Sequence, residues 1–238
     1  MKLLFVLLIG LLPGSEPAVN YEKSLAPDYH RALEYLKEHR EQFRHCLSGG
    51  EQEKALMISV VFPEIVRYSK VRDLLETKSL EIGYVRKGKK YVDFSIGRFQ
   101  MKPSFIETLE DHIRKNSELS ARYPSIPEYP EKNVVSKRKE RVKRLKSLRW
   151  QLNYLKAFFD VVNNEFPFLR EMDFGYQVRF YATAYNHSFY ASRQEIEQWM
   201  DRENYPYGTD VLGRQYAYSE VSLYFFRNHV NKIFKSKN

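Results

Sequence analysis

The sequence predicts a mainly α fold: a helical lobe carrying one short β-hairpin. Three observations lead there. Apolar residues recur at spacings of three and four through most of the chain, the period of one helix face. Capping pairs and prolines punctuate those runs at helix-length intervals. Only one stretch, Gly83 to Val92, has the appearance of two short strands about a turn, at Lys87 and Gly88. The 238 residues suffice for a sizeable core, and no internal repeat divides them.

At the N-terminus Lys2 precedes an unbroken apolar run, Leu3 to Leu12, followed by Pro13, Gly14 and Ser15. This is the pattern of a secretory signal peptide over residues 1–18. The run is too short for a membrane span, which needs ~20 residues. The expectation is an exported protein, periplasmic or secreted, with a single domain over 19–238 and no stable span. Cys46 is the one cysteine, so there is no internal disulfide framework and stability rests on the core. The net charge of +9 suggests an anionic setting: nucleic acid, anionic lipid or an anionic wall polymer.

Asp28 to His45 predicts an amphipathic helix on Leu33, Tyr35, Leu36 and Phe43, ended by Ser48-Gly49-Gly50. Glu51 to Phe62 predicts a second, apolar nearly all round in its later half and therefore buried. Pro63 is expected to end or kink it, so that Glu64 emerges at its end. A carboxyl there is partly desolvated, which raises its pKa and prepares it as a general acid. The plainer alternative is a surface glutamate at a helix end. Ser69 to Tyr91 is read as irregular, with a helical turn at Asp73–Glu76 and then the hairpin. Gly97 marks a turn that needs positive φ or a close approach. Ser104 with Glu107 is read as a capping box opening a helix on Phe105, Leu109 and Ile113.

Ser120 to Lys132 holds three prolines and is read as a surface excursion within the domain. From Val134 to Phe166 the pattern predicts one long helix on Leu145, Leu148, Leu152, Leu155, Phe159 and Val162. Its first part, a basic helical insertion around 132–150, is either an anion-binding surface or a solvated face. Met172 to Tyr185, Ser192 to Arg202 and Tyr218 to Phe234 complete the helices, the second opened by a Ser192–Glu195 capping box. Asn204 to Gly213 is a loop. The six histidines show no ligand spacing, and neither a Gly-rich phosphate loop nor a nucleic-acid motif occurs. No metal, cofactor or nucleic-acid partner is expected.

Three stretches, in order, carry a family resemblance: Glu64 after the apolar helix, Ser95-Ile-Gly97-Arg-Phe-Gln100-Met101, and Ala184-Tyr185-Asn186. Together they resemble the lysozyme superfamily, above all the soluble lytic transglycosylases. The resemblance implies an α+β lysozyme-like domain and peptidoglycan glycan strands as the partner of a monomer. It implies cleavage between N-acetylmuramic acid and N-acetylglucosamine, with Glu64 as the single acid and base. Ser95, Gly97 and Gln100 would line the sugar cleft, Tyr185 would hold Glu64 or the muramyl sugar, and Asn186 would fix the local backbone. The sequence departs from the pattern in three places. Ile65 stands where the family has serine after the glutamate, Glu64 and Gln100 are unusually far apart, and His187-Ser188 follows Asn186. A second carboxylate, Asp93 or Glu76, would make the enzyme a muramidase-type hydrolase. A non-catalytic wall-binding relative is the remaining reading.

Overall fold

The computed structural model describes residues 19–68, 74–206 and 213–234. The apolar run Leu3–Leu12, read as part of a signal peptide, lies outside them. The chain begins with α1 (Tyr21–Ser24), α2 (Asp28–Glu38), α3 (Arg40–Cys46) and α4 (Glu51–Tyr68). It continues through α5 (Leu74–Lys87), α6 (Pro103–Lys115), α7 (Ser117–Arg122), α8 (Val134–Lys146) and α9 (Leu148–Glu165). After a 3-10 turn at Pro167–Glu171 come α10 (Phe174–Asn186) and α11 (Arg193–Trp199). A small antiparallel pair, β1 (Glu203–Tyr205) and β2 (Tyr216–Ala217), precedes α12 (Tyr218–Asn228) and α13 (Val230–Phe234). The fold is mainly α with one short β-hairpin. Among the described residues, no helix is long and apolar enough to cross a membrane.

The buried helix α4 is the axis of one half of the core. It packs against α10 and α12 above all, and also against α2, α9 and α13. Every residue from Ile58 to Val66 is buried, and Phe62 stacks on Phe225 at 3.9 Å between ring centres. The second half of the core gathers α6, α7 and α8 around α9, with α5 against α8. An aromatic group of Phe105, Phe158, Tyr185 and Phe189 ties α6, α9 and α10 together.

Several boundaries differ from the sequence reading, each for a visible reason. Pro63 does not end α4, which runs through it to Tyr68. A proline inside a helix leaves carbonyls nearby without their usual partners. Here the Tyr218 hydroxyl donates to the Val60 carbonyl at 3.0 Å and the Tyr205 hydroxyl to the Pro63 carbonyl at 2.8 Å. The hairpin expected at Gly83–Val92 is absent: Gly83 lies inside α5, and Gly88, at φ +84°, lies just past its end. The hairpin of the fold lies instead at β1 and β2, which flank the loop expected at Asn204–Gly213. A side chain at Gly83 would meet the Val92 side chain at 2.8 Å, so the glycine permits a tight contact rather than a strand turn.

The predicted long helix breaks at Ser147 into α8 and α9, and the first helix breaks at His39 into α2 and α3. The Ser104–Glu107 capping box does not form. Asp93 takes the role, accepting from the Ser104 amide at 3.1 Å and its hydroxyl at 2.7 Å. Glu107 is drawn away by the Tyr84 hydroxyl at 2.8 Å and by Lys89 and Arg141. At α11 the Glu195 amide donates to the Ser192 hydroxyl at 3.2 Å, as expected.

Candidate functional site

Glu64 sits about three-quarters of the way along α4, on the one helix the fold surrounds most fully, and is 3 % exposed. Burial pushes its carboxyl above the usual carboxylate range; Arg67, Lys102 and Tyr218 pull the other way without cancelling that push. Arg67, one helical turn on, brings its Nη2 to 2.9 Å from Glu64 Oε2. That oxygen has no aligned hydrogen-bond donor, so the contact is one of charge. Around the pair stand the hydroxyls of Tyr185 and Tyr218, both buried, and both held well above the ordinary phenol range by burial and by the Glu64 charge.

The Ser95–Met101 stretch folds into a tight reversal. Ile96 and Met101 exchange both backbone hydrogen bonds, and Gln100 N donates to the Gly97 carbonyl at 3.1 Å. Gly97 has φ +74°. A Cβ there would lie 2.1 Å from Gln151 Nε2 and 2.4 Å from the Leu145 carbonyl oxygen. The α8–α9 junction therefore requires the glycine, by conformation and by space. Gln151 locks the arrangement: its amide nitrogen donates to the Leu145 carbonyl at 2.7 Å, and its oxygen accepts from the Phe99 amide at 2.8 Å. Gln100 is held at φ +48°, a left-handed geometry that costs a non-glycine residue of order 1–3 kcal/mol and concentrates at functional sites. Its side-chain amide donates back to the Gly97 carbonyl at 2.8 Å. From α10, the Tyr185 hydroxyl donates to the Phe99 carbonyl at 2.6 Å.

These elements enclose a cavity of ≈ 360 Å³. Of the residues singled out in the sequence, Glu64, Ser95, Gln100, Tyr185 and Asn186 all line it. Gly97 does not; it faces α8 and α9, and only its carbonyl connects it to Gln100. Tyr185 reaches the turn rather than Glu64 with its hydroxyl, so it fixes the turn's distance from α4. Asp93 lines the cavity too, with both carboxylate oxygens engaged by Ser104. The Glu76 side chain is outside the described residues. Sequence reasoning missed Arg67, Lys102 and Ser188, which also line the cavity. Arg67 was recoverable, since i and i+3 share a helix face, but only if the helix is carried through Pro63. Ser188 places a buried hydroxyl with no partner in the wall.

The basic stretch at 137–149 is divided: Lys139, Lys143, Lys146 and Arg149 are exposed, while two arginines turn inward. Arg141 and Arg144 are buried. Arg141 binds Glu110, and Arg144 donates to the carbonyls of Ser125, Ile126 and Glu128, pinning the proline-rich excursion. Among the described residues, no three His, Cys, Asp or Glu side chains converge as a metal site. No family model, curated protein or solved structure matches the chain.

Proposed function

We propose that this protein cleaves peptidoglycan glycan strands between N-acetylmuramic acid and N-acetylglucosamine, by lytic transglycosylation with Glu64 as the single acid and base. The observation that carries the reading is the buried Glu64 carboxyl, raised above its ordinary range and opening on the same cavity as Ser95, Gln100, Tyr185 and Asn186. The cavity volume of ≈ 360 Å³ falls within the ~300–1,000 Å³ of small-ligand sites. Glu64 in its acid form protonates the glycosidic oxygen, and the bond to the muramyl C1 breaks. The substrate's own acetamido oxygen stabilises the cationic centre. Glu64, now a carboxylate, takes the proton from the muramyl 6-hydroxyl, whose oxygen closes on C1 to give a 1,6-anhydro ring. No water is consumed and Glu64 returns as an acid.

A single-carboxylate route suits the site, because Asp93 is occupied as the cap of α6. The Glu64–Arg67 contact supports a second reading, a non-catalytic glycan-binding protein in which the pair is structural. The apolar run Leu3–Leu12 supports an exported location, periplasmic or secreted, for either activity. Mass spectrometry of purified peptidoglycan after incubation decides among the readings. Anhydromuropeptides are the expected products. Reducing-end muropeptides instead would make the protein a hydrolase, and wall binding with no soluble product would make it a binder.

A further inference from the structure

Arg67 has features that a purely structural partner of Glu64 would not need. Its side chain is 28 % exposed against 4 % for that of Glu64, so it lies on the open side of the pair and lines the cavity. Glu64 is its one ion-pair partner among the described residues. A guanidinium offers five donors in a planar fork that suits a carboxylate in two-point contact. The remaining charged or titratable groups about the pair and its cavity include Lys102 before α6, Tyr185 on α10, Tyr205 on β1, Tyr218 on α12, and His187, which is paired with Glu195. Lys102 is exposed and also lines the cavity. The wall thus presents two cations to whatever enters, while its two carboxylates are the paired Glu64 and the capping Asp93.

We infer that Arg67 reads a carboxylate on the glycan and, in doing so, releases Glu64 to act as an acid. The inference rests on the glycan-cleaving reading and names what selects the substrate within it. Arg67 pairs with Glu64 within the protein. An acidic glycan offers Arg67 a replacement partner: the free lactyl carboxylate of a muramic acid without its stem peptide, or a carboxylate of the stem peptide where one is attached. Once Arg67 turns to it, the buried Glu64 carboxylate has lost its compensating charge and takes a proton from solvent. Charge balances: one anion enters, one proton follows it. A neutral glycan supplies no carboxylate and leaves the pair intact, so Arg67 goes on opposing the protonation of Glu64.

The test is calorimetric binding of two disaccharides to the full chain: N-acetylglucosaminyl-N-acetylmuramic acid, which carries the carboxylate, and neutral diacetylchitobiose. Neither holds the bond that the enzyme would cut. Wild type is expected to prefer the acidic disaccharide by about tenfold or more, the effect of one charge-assisted contact. Proton uptake should accompany binding of that ligand alone, read from buffers of different ionisation enthalpy across the acid-to-neutral range. Arg67→Met should lose the preference. Glu64→Gln should keep it with the proton uptake gone. Arg67→Lys retains the charge without the fork, should keep a reduced preference, and serves in place of Arg67→Met if that variant does not fold. A full preference surviving in Arg67→Met, or equal binding of both ligands to wild type, overturns the role of Arg67 and leaves the glycan reading standing. Binding of neither disaccharide overturns both.

Discussion

Among the described residues two glutamates, Glu64 and Glu110, are buried beside arginines, and their surroundings differ completely. Arg141 on α8 grips Glu110 on α6 at two points, Nε to Oε1 at 3.1 Å and Nη2 to Oε2 at 2.8 Å. Its remaining nitrogen donates to the Tyr84 hydroxyl at 2.6 Å and to Glu107 at 3.2 Å, and Tyr129 and Arg114 close on Glu110 from other sides. Both oxygens of Glu110 are satisfied. Arg67 and Glu64 meet at 2.9 Å without an aligned hydrogen bond, beside a cavity of ≈ 360 Å³. A saturated buried network holds a fold in one arrangement. A half-satisfied pair at the edge of a cavity keeps a charge ready to change hands, and there a perturbed carboxyl has a use.

That contrast is broken or sharpened by substitution. The largest effect is expected from Glu64→Gln, which removes the acid and keeps its shape. Release of soluble muropeptides should fall by ~10²–10⁴-fold, with an unchanged circular dichroism spectrum. Next is Arg141→Met, which strands the buried Glu110 charge. Denaturant unfolding should show a loss of about 3–5 kcal/mol, with activity per folded molecule retained. Arg67→Met should cost clearly less stability, because Glu64 can neutralise itself by taking a proton. Equal losses in the two arginine variants would remove the distinction between the pairs.

Gln151→Ala leaves the Phe99 amide and the Leu145 carbonyl without their side-chain partner. About 1–3 kcal/mol should be lost, together with activity, since the turn that carries Gln100 is loosened. A smaller and pH-dependent effect follows from the Glu64 carboxyl itself. Its folded pKa lies above its unfolded one, so the folded state holds the extra proton between the two values. Stability contributed by Glu64 is full below the unfolded pKa and falls as pH rises to the folded pKa, by about 1.4 kcal/mol per unit of difference. Unfolding free energies of wild type and Glu64→Gln measured against pH should therefore diverge upward through that window, in favour of the glutamine variant. Curves that stay parallel would place Glu64 at its ordinary value. Tyr185→Phe, which deletes the hydroxyl held by the Phe99 carbonyl, should cost about 1 kcal/mol and a modest share of the activity.

Much of the site was legible because local signals agreed with the fold. An apolar helix leading to Glu64, a glycine turn ahead of Gln100, and Tyr185 near the end of an apolar helix face are all short-range patterns. What escaped depended on distant partners. Pro63 reads as a helix end, yet hydroxyls 142 and 158 residues downstream hold the helix together there. Losing that continuity hid Arg67, which shares its face with Glu64. Gly83 and Gly88 read as strand and turn, whereas Tyr84 is claimed by Glu107 and Arg141 and draws α5 onto α8. The basic run reads as one charged face, but Arg141, four residues before Leu145 of the apolar stripe, and Arg144, three further on, turn inward, while Lys139 and Lys143 stay exposed. Gly97 was noticed for its turn; that it admits the α8–α9 junction follows only from Gln151 and Leu145 lying against it.

The central claim is that Glu64 carries the proton for the site. Isotope-edited infrared titration of the carboxyl groups, comparing wild type with Glu64→Gln, addresses it most directly. The account predicts a protonated-carboxyl band that persists in wild type above the ordinary carboxylate range and is missing from the variant. A Glu64 signal that is fully ionised throughout that range would contradict it.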